Sequence, residues 1–486
     1  MALNSFRFIL LLFPILAGFY LLSLFCKKEK TKRNVLAGYL LAIGYLMVAG
    51  TDIRFLLCLL AVTLITYFCP LLLERKQLGR TKAWVAFGIV ADLVSLGVFK
   101  YFNFFYNQVE ALFGGAKTNL NILLPIGISF YTFSSISYLV DVYRGKYEAN
   151  KSLLEVALFI GFFPKIISGP IIRGRDFFES LNGLGKKNLY NFSCGIQIFV
   201  WGLFKKMVLA DRLSVFVDNV FYAPKAFHSI TVIWATLSYP LQLYFDFAGY
   251  SDMAIGISKL FGIDLAWNFN FPFVARTVSE FWKRWHISLS SWLQEYLYFP
   301  LGGNRKGKIR TYVNLLLTML LGGLWHGAAW CYILWGGLQG LALGFDKMRL
   351  ERRKKKYGRK DAKKSGPAVA FLSMVASYLF FAFSIIIFRS ENIMDGFAFI
   401  GQLFKPHDGM MHLYTWSLFS MVCLIIGTLV MRRKTGFAMK MPQKVEDRYF
   451  LFDLTSILGL TLFFVLCGLT VGLAYFGNTA FIYGAF

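Results

Sequence analysis

Apolar runs of about 18 or more residues recur along almost the whole chain, each enough to cross a hydrocarbon core of about 30 Å as a helix. They fall near residues 6–26, 34–50, 54–73, 83–106, 122–140, 153–172, 189–209 and 229–250, and again near 311–345, 368–388, 413–431 and 451–476. Backbone that crosses lipid must satisfy its own hydrogen bonds, so these runs read as helices. With 57% hydrophobic and only 16% charged residues, the 486-residue chain is excluded from the soluble globular class. The expected fold class is an all-α polytopic membrane protein with about 11–13 transmembrane helices. Residues 251–300 are apolar but broken by Asn, Pro, Arg and His, which predicts short re-entrant or interfacial helices. The first run lacks an A-x-A cleavage pattern and is followed by KKEKTKR, so it reads as a retained span.

A net charge of +26 raises nucleic acid as a partner, but the placement of the charge argues against it. Basic residues cluster in short connections, Lys27 to Arg33, Arg75 to Lys82, Lys347 to Lys364 and Arg432 to Lys444. Such connections lie in the cytoplasm by the positive-inside rule. Two runs separate the first pair of loops and two separate the last pair, so the assignments agree and both termini fall on the extracytoplasmic side. The run Arg349 to Lys364 is a topology determinant or a surface for anionic membrane lipid or a phosphorylated donor. The seven cysteines lie in or beside apolar runs with no CxxC pair, as buried small hydrophobes do.

The basic loop is the one clear break in composition. It predicts a membrane core over 1–346, carrying a polar-motif region at 122–345, then a cytoplasmic loop at 347–367 and C-terminal spans at 368–486. Pro125 to Gly145 is rich in hydroxyls and ends with Asp141 and Arg144 at i, i+3 spacing, where they can pair. Phe162 to Phe177 holds two prolines, which predicts a broken helix. Asp246 and Asp252 sit among aromatics and glycines. Carboxylates at that depth mark an interior pathway or a structural network.

Of five histidines, two stand inside polytopic apolar sequence, His286 in SEFWKRWHISLSSWL and His326 in LGGLWHGAAW. An imidazole exchanges protons near neutral pH and is a general-base candidate where other polar groups are scarce. His326 and the neighbouring Trp325 are flanked by Gly322, Gly323, Gly327, Ala328 and Ala329. These small residues allow a tight helix crossing or leave room for a substrate. Both readings, a structural histidine at a crossing and a catalytic base, stand at this point. His286 follows Lys283, Arg284 and Trp285 and is equally readable as an interfacial residue. His228, His407 and His412 sit beside predicted loops. No HxxxH or HExxH spacing points to a metal site. Ser288, Ser290 and Ser291 lie near His286, but no G-x-S-x-G elbow occurs. Lys283, Arg284, Asn304 and Arg305, with Lys306 and Lys308, are candidates for binding the phosphates of a donor or for anchoring at the interface.

The stretches GISFYTFSSISYLVDVYRG, FFPKIISGPIIRGRDF, LYFDFAGYSDMAIGISKLFGI, NFNFPF, FWKRWHISLSSWLQEYLYFPLGGNR and LLTMLLGGLWHGAAWCYILWGGLQG run in order from about residue 122 to 345. Through them the chain resembles the bacterial membrane-bound O-acyltransferases, most closely the membrane subunit of alginate-type polysaccharide O-acetylation. The resemblance implies a helical core around a central funnel, with His326 of WHG catalytic and His286 of WHISL its companion. It also implies acetyl-CoA as a cytoplasmic donor substrate, with no permanently bound cofactor. The acceptor would be an extracytoplasmic polysaccharide, reached through a partner with an SGNH, serine-hydrolase-like domain. The setting would be the bacterial cytoplasmic membrane. The ending FIYGAF and the segment FSIIIFRSEN depart from the family pattern, both outside the catalytic region. Two alternatives are D-alanyl transfer to teichoic acid on the same fold, and a polysaccharide or lipid transporter built on Asp246, Asp252 and broken helices.

Overall fold

A computed structural model describes residues 3–74, 81–113, 120–186, 188–361, 366–406, 408–435, 447 and 449–477. The basic residues at 75–80, 362–364 and 436–444, His407 and the FIYGAF ending lie outside them. The described residues are helical, with no β-strand among them. Among the described residues, six helical stretches are long and apolar enough to cross a membrane, Phe6–Phe25, Ile53–Glu74, Lys82–Leu112, Leu189–Tyr222, Pro367–Arg389 and Thr415–Arg433. The chain is a multi-pass membrane protein. The remaining expected spans are also helical, but they are shorter, broken or more polar. Run 153–172 stops at Gly161, where Phe162 turns to an extended conformation before the short helix Phe163–Ile166, which carries Pro164 in its first turn. Run 311–345 divides at Gly327, and run 229–250 extends to Leu260, so part of the 251–300 segment is a regular helix.

The chain forms two compact units, Met1–Phe204 with Gly249–Trp267 and Lys440–Gly472, and Lys205–Ala248 with Asn268–Met439 and Leu473–Phe486. The first holds α1 (Phe6–Phe25), α2 (Glu29–Ala49), α3 (Ile53–Glu74), α4 (Thr81–Leu96), α5 (Phe102–Leu112), α6 (Ile128–Tyr143), α7 (Leu153–Gly161), α8 (Phe163–Ile166), α9 (Gly174–Ser180) and α10 (Leu189–Leu203). The second begins with α11 (Asp211–Tyr222), and α12 (Ser229–Leu260) is divided between the units after Ala248. α13 (Val278–Trp282), α14 (Ile287–Leu293), α15 (Lys308–His326), α16 (Trp330–Asp361), α17 (Pro367–Arg389), α18 (Ile393–Leu403) and α19 (Thr415–Thr435) complete the second unit. α20 (Ile457–Leu473) returns to the first.

In the first unit the hydroxyls of α6 are turned inward. Ser129, Thr132, Ser134, Ser135 and Ser137 are all buried, and Thr66 donates to Ser135 across 2.7 Å. Asp141 is ion-paired with Lys146 at 2.9 Å. α10 meets the end of α12 through glycines. A Cβ on Gly256 would come within 2.7 Å of the Gly195 carbonyl oxygen. Asp252, on the same stretch, accepts from the Tyr449 hydroxyl at 2.8 Å.

In the second unit Asp246 belongs to a buried ionic cluster. Lys206, in a wide π-helical turn, reaches Asp211 and Asp246 at 2.6 Å each, and all three are buried. Of the two roles read from sequence, this geometry is that of a structural network. Removing its shared cation leaves two carboxylates desolvated together. Lys206→Met therefore costs about 3–5 kcal/mol of stability, with Asp246→Asn in the same chain recovering part of it. Denaturation of the purified protein in detergent reads this, and an unchanged Lys206→Met midpoint would contradict it.

The backbones of α15 and α16 approach closely where they cross. Gly323 sits opposite Gly336, and a Cβ on either would come within 3.1 Å of the other's Cα and collide with the facing carbonyl of Tyr332 or Met319. Gly336→Ala is expected to destabilise by about 1–3 kcal/mol because backbone must move. Gly337→Ala meets only the end of the Leu320 side chain, at 3.4 Å, and should be tolerated. Equal melting of the two variants would contradict that placement.

Candidate active site

His326 is the last residue of α15, and the chain turns sharply after it through Gly327 into α16. A side chain at 327 would strike the Tyr332 ring. The small residues around His326 thus serve the turn and the helix crossing. Aromatic rings flank the imidazole. His326 packs edge-on against Trp335 of α16 at 5.4 Å and Phe388 of α17 at 5.3 Å, with Trp325 at 4.9 Å. It is 2% exposed, and hydrogen bonds made by a group so shielded from water are stronger than at a surface.

His286 reaches the same aromatic group by a different route. It is the residue before α14 and has a left-handed backbone, φ 43 and ψ 54. Phe271 at φ 48 is the other non-glycine residue in that region of φ among those described. Histidine enters the left-handed region more readily than most side chains, yet still at a cost, and such strain concentrates at functional sites. Asn268 holds the turn. Its carbonyl accepts from the Ile287 N–H at 2.9 Å, and its side-chain oxygen accepts from the Ser288 hydroxyl at 2.5 Å. Asn270 adds a bond to the Arg284 carbonyl at 2.8 Å. Trp285 is buried among Phe269, Phe281 and Phe381, whereas His286 contacts Phe247 at 4.6 Å and Trp325 at 6.1 Å. The Trp325 indole therefore touches both imidazoles. His286 lies outside the candidate spans, and its burial pushes the imidazole well below its ordinary pKa, which favours the neutral ring.

The donor-binding candidates separate into two kinds. Arg284 is buried, and its guanidinium is spent on Glu280 at 3.0 Å and the Asn270 carbonyl at 3.0 Å, so it braces the turn. Lys283, Asn304, Arg305, Lys306 and Lys308 are exposed. Asn304 and Arg305 follow a turn made by Gly302 and Gly303, both at positive φ, and the buried Asn314 donates to the Leu301 and Gly303 carbonyls beneath it. Neither Asn268 nor Asn314 was identifiable from sequence, since a lone Asn gives no periodic signal. No cluster suited to a metal ion occurs among the described residues.

Glycine accepts the left-handed backbone at 286 without the Cβ clash that alanine suffers. His286→Gly is therefore expected to be about 1–2 kcal/mol more stable than His286→Ala, although both lack the imidazole. Chemical denaturation of the two variants checks this, and alanine proving equal or better would show that the turn is unstrained.

Residues 149–390 match the model of the MBOAT, membrane-bound O-acyltransferase family, and this range contains both histidines. The chain is 40% identical over 416 residues to a probable alginate O-acetylase of Pseudomonas putida, covering 84% of this chain and 81% of that protein. It is 36% identical to the peptidoglycan O-acetyltransferase of Helicobacter pylori over 70% of this chain and 69% of that one. It is 30% identical to the teichoic acid D-alanyltransferase of Streptococcus thermophilus over 75% and 86%. With an all-helical membrane fold and this extent of similarity, the chain belongs to the membrane-bound O-acyltransferase family and is an acyltransferase.

Proposed function

We propose that the protein takes an acetyl group from cytoplasmic acetyl-CoA and passes it across the membrane for O-acetylation of an extracytoplasmic polysaccharide, with His326 as the base. The observation that carries this is the placement of His326, a buried imidazole at a helix end inside the family-matched region, walled by Trp325, Trp335 and Phe388. The names of the relatives support the cargo, since alginate and peptidoglycan O-acetylation both place acetyl on sugar hydroxyls.

In this reading the neutral His326 accepts the proton of the acceptor hydroxyl as its oxygen attacks the acetyl carbonyl. The C–S bond breaks, and CoA leaves as a thiolate that takes up a proton. General-base help of this kind is worth about 10²–10⁴-fold in rate. His286, held neutral and in contact with Trp325, supports the site as a neighbour of the reacting groups. Exposed Lys283 and Arg305 meet the donor phosphates at the cytoplasmic mouth, with Asn304 beside them. An SGNH, serine-hydrolase-like partner supplies that first acceptor hydroxyl and then hands the acetyl group to the polysaccharide hydroxyl outside. The protein sits in the cytoplasmic membrane with both termini extracytoplasmic.

His326→Gln is expected to lower transfer of label from acetyl-CoA to surface polysaccharide by at least about 100-fold, with the protein present in the membrane at its normal level. Full transfer by His326→Gln would refute the assignment. Label arriving from a D-alanyl carrier instead of acetyl-CoA would move the protein to the other branch of the family.

A further inference from the structure

We infer that Gln339 is a positioning residue that fixes the two histidines relative to one another. The inference rests on the reading of His326 as the base. Gln339 lies on α16 and is 0% exposed, an expensive place for an amide unless both of its ends are bonded. Both are. Its oxygen accepts from the Trp282 indole N–H of α13 at 3.2 Å, and its nitrogen donates to the Ser384 hydroxyl of α17 at 2.9 Å. Ser384 in turn donates to the Phe381 carbonyl at 2.9 Å, so the direction of every bond in the chain is set.

The neighbours of these three residues make the arrangement more than a helix clamp. Four residues before Gln339 on the same helix face is Trp335, and four residues after Ser384 is Phe388. These two rings pack on each other at 4.9 Å and both pack on His326. Trp282 touches Trp335 at 5.8 Å and lies four residues ahead of His286. One buried amide thus ties the segment leading to His286 to both aromatic walls of His326. A site that transfers an acyl group needs its groups held to within a fraction of an ångström, and a misplacement of about 1 Å costs about 10²-fold.

The test uses the full-length protein in native membranes and labelled acetyl-CoA, comparing Gln339→Leu, Gln339→Glu and His326→Gln. Gln339→Leu keeps the volume and removes both bonds. It is expected to lower kcat by about 10- to 100-fold with KM for acetyl-CoA unchanged. Gln339→Glu can restore both bonds only when its carboxyl is protonated, as an acceptor from Trp282 and a donor to Ser384. Its rate relative to wild type should therefore rise as pH falls. Wild-type kcat in Gln339→Leu overturns the inference, as does a Gln339→Glu rate with the same pH profile as wild type. Where Gln339→Leu fails to accumulate, the Gln339→Glu profile decides alone. Full activity in His326→Gln overturns the functional reading itself, whereas loss there with wild-type kcat in Gln339→Leu overturns only the role of Gln339.

Discussion

The glycine-on-glycine crossing of α15 and α16 determines where His326 sits. Lipid offers no hydrophobic drive for two apolar helices to associate, so packing and polar contacts must do it. Gly323 and Gly336 remove the side chains that would hold the backbones apart, and the α15 end is drawn against α16. His326 is the residue at that end. Its enclosure by Trp335 and Phe388 follows from the crossing, because both rings come from helices in the same tight group. A wider crossing would leave the imidazole in a loose, wetter setting.

A second constraint is polar satisfaction at depth. Each buried charge in the second unit has a specific partner, Lys206 with two carboxylates and Arg284 with Glu280 and a backbone carbonyl. The same economy governs the turn at His286, where Asn268 saturates the backbone around a strained residue. Strain and bracing together fix a side chain that the sequence alone would leave free to point into lipid or water.

The helical character and the membrane class were legible in the sequence, and His326 was singled out there as a candidate, because each leaves a local signature. Long apolar runs determine the first two, and a histidine among glycines stands out against them. Less was legible where a feature depends on distant partners. The glycines around His326 suggested either crossing or substrate room, and only the position of α16 shows that Gly323 serves the crossing. Arg284 was readable as a donor ligand or an interface anchor, and its bonds to Glu280 and Asn270 tie it into the fold. Asp246 was visible as a costly group, but its cation lies 40 positions away in sequence, and nothing local joins them. Asn268 and Gln339 carry much of the geometry yet are single polar residues without pattern.

The central claim is that His326 acts as a base from its neutral form. The most direct measurement is the pH dependence of acetyl transfer at saturating acetyl-CoA. Protonation of the imidazole removes the base, so the wild-type rate should fall on the acid side, and the residual rate of His326→Gln should lack that limb. An acid limb of the same shape and position in His326→Gln would contradict the account, since another group would then be supplying the base.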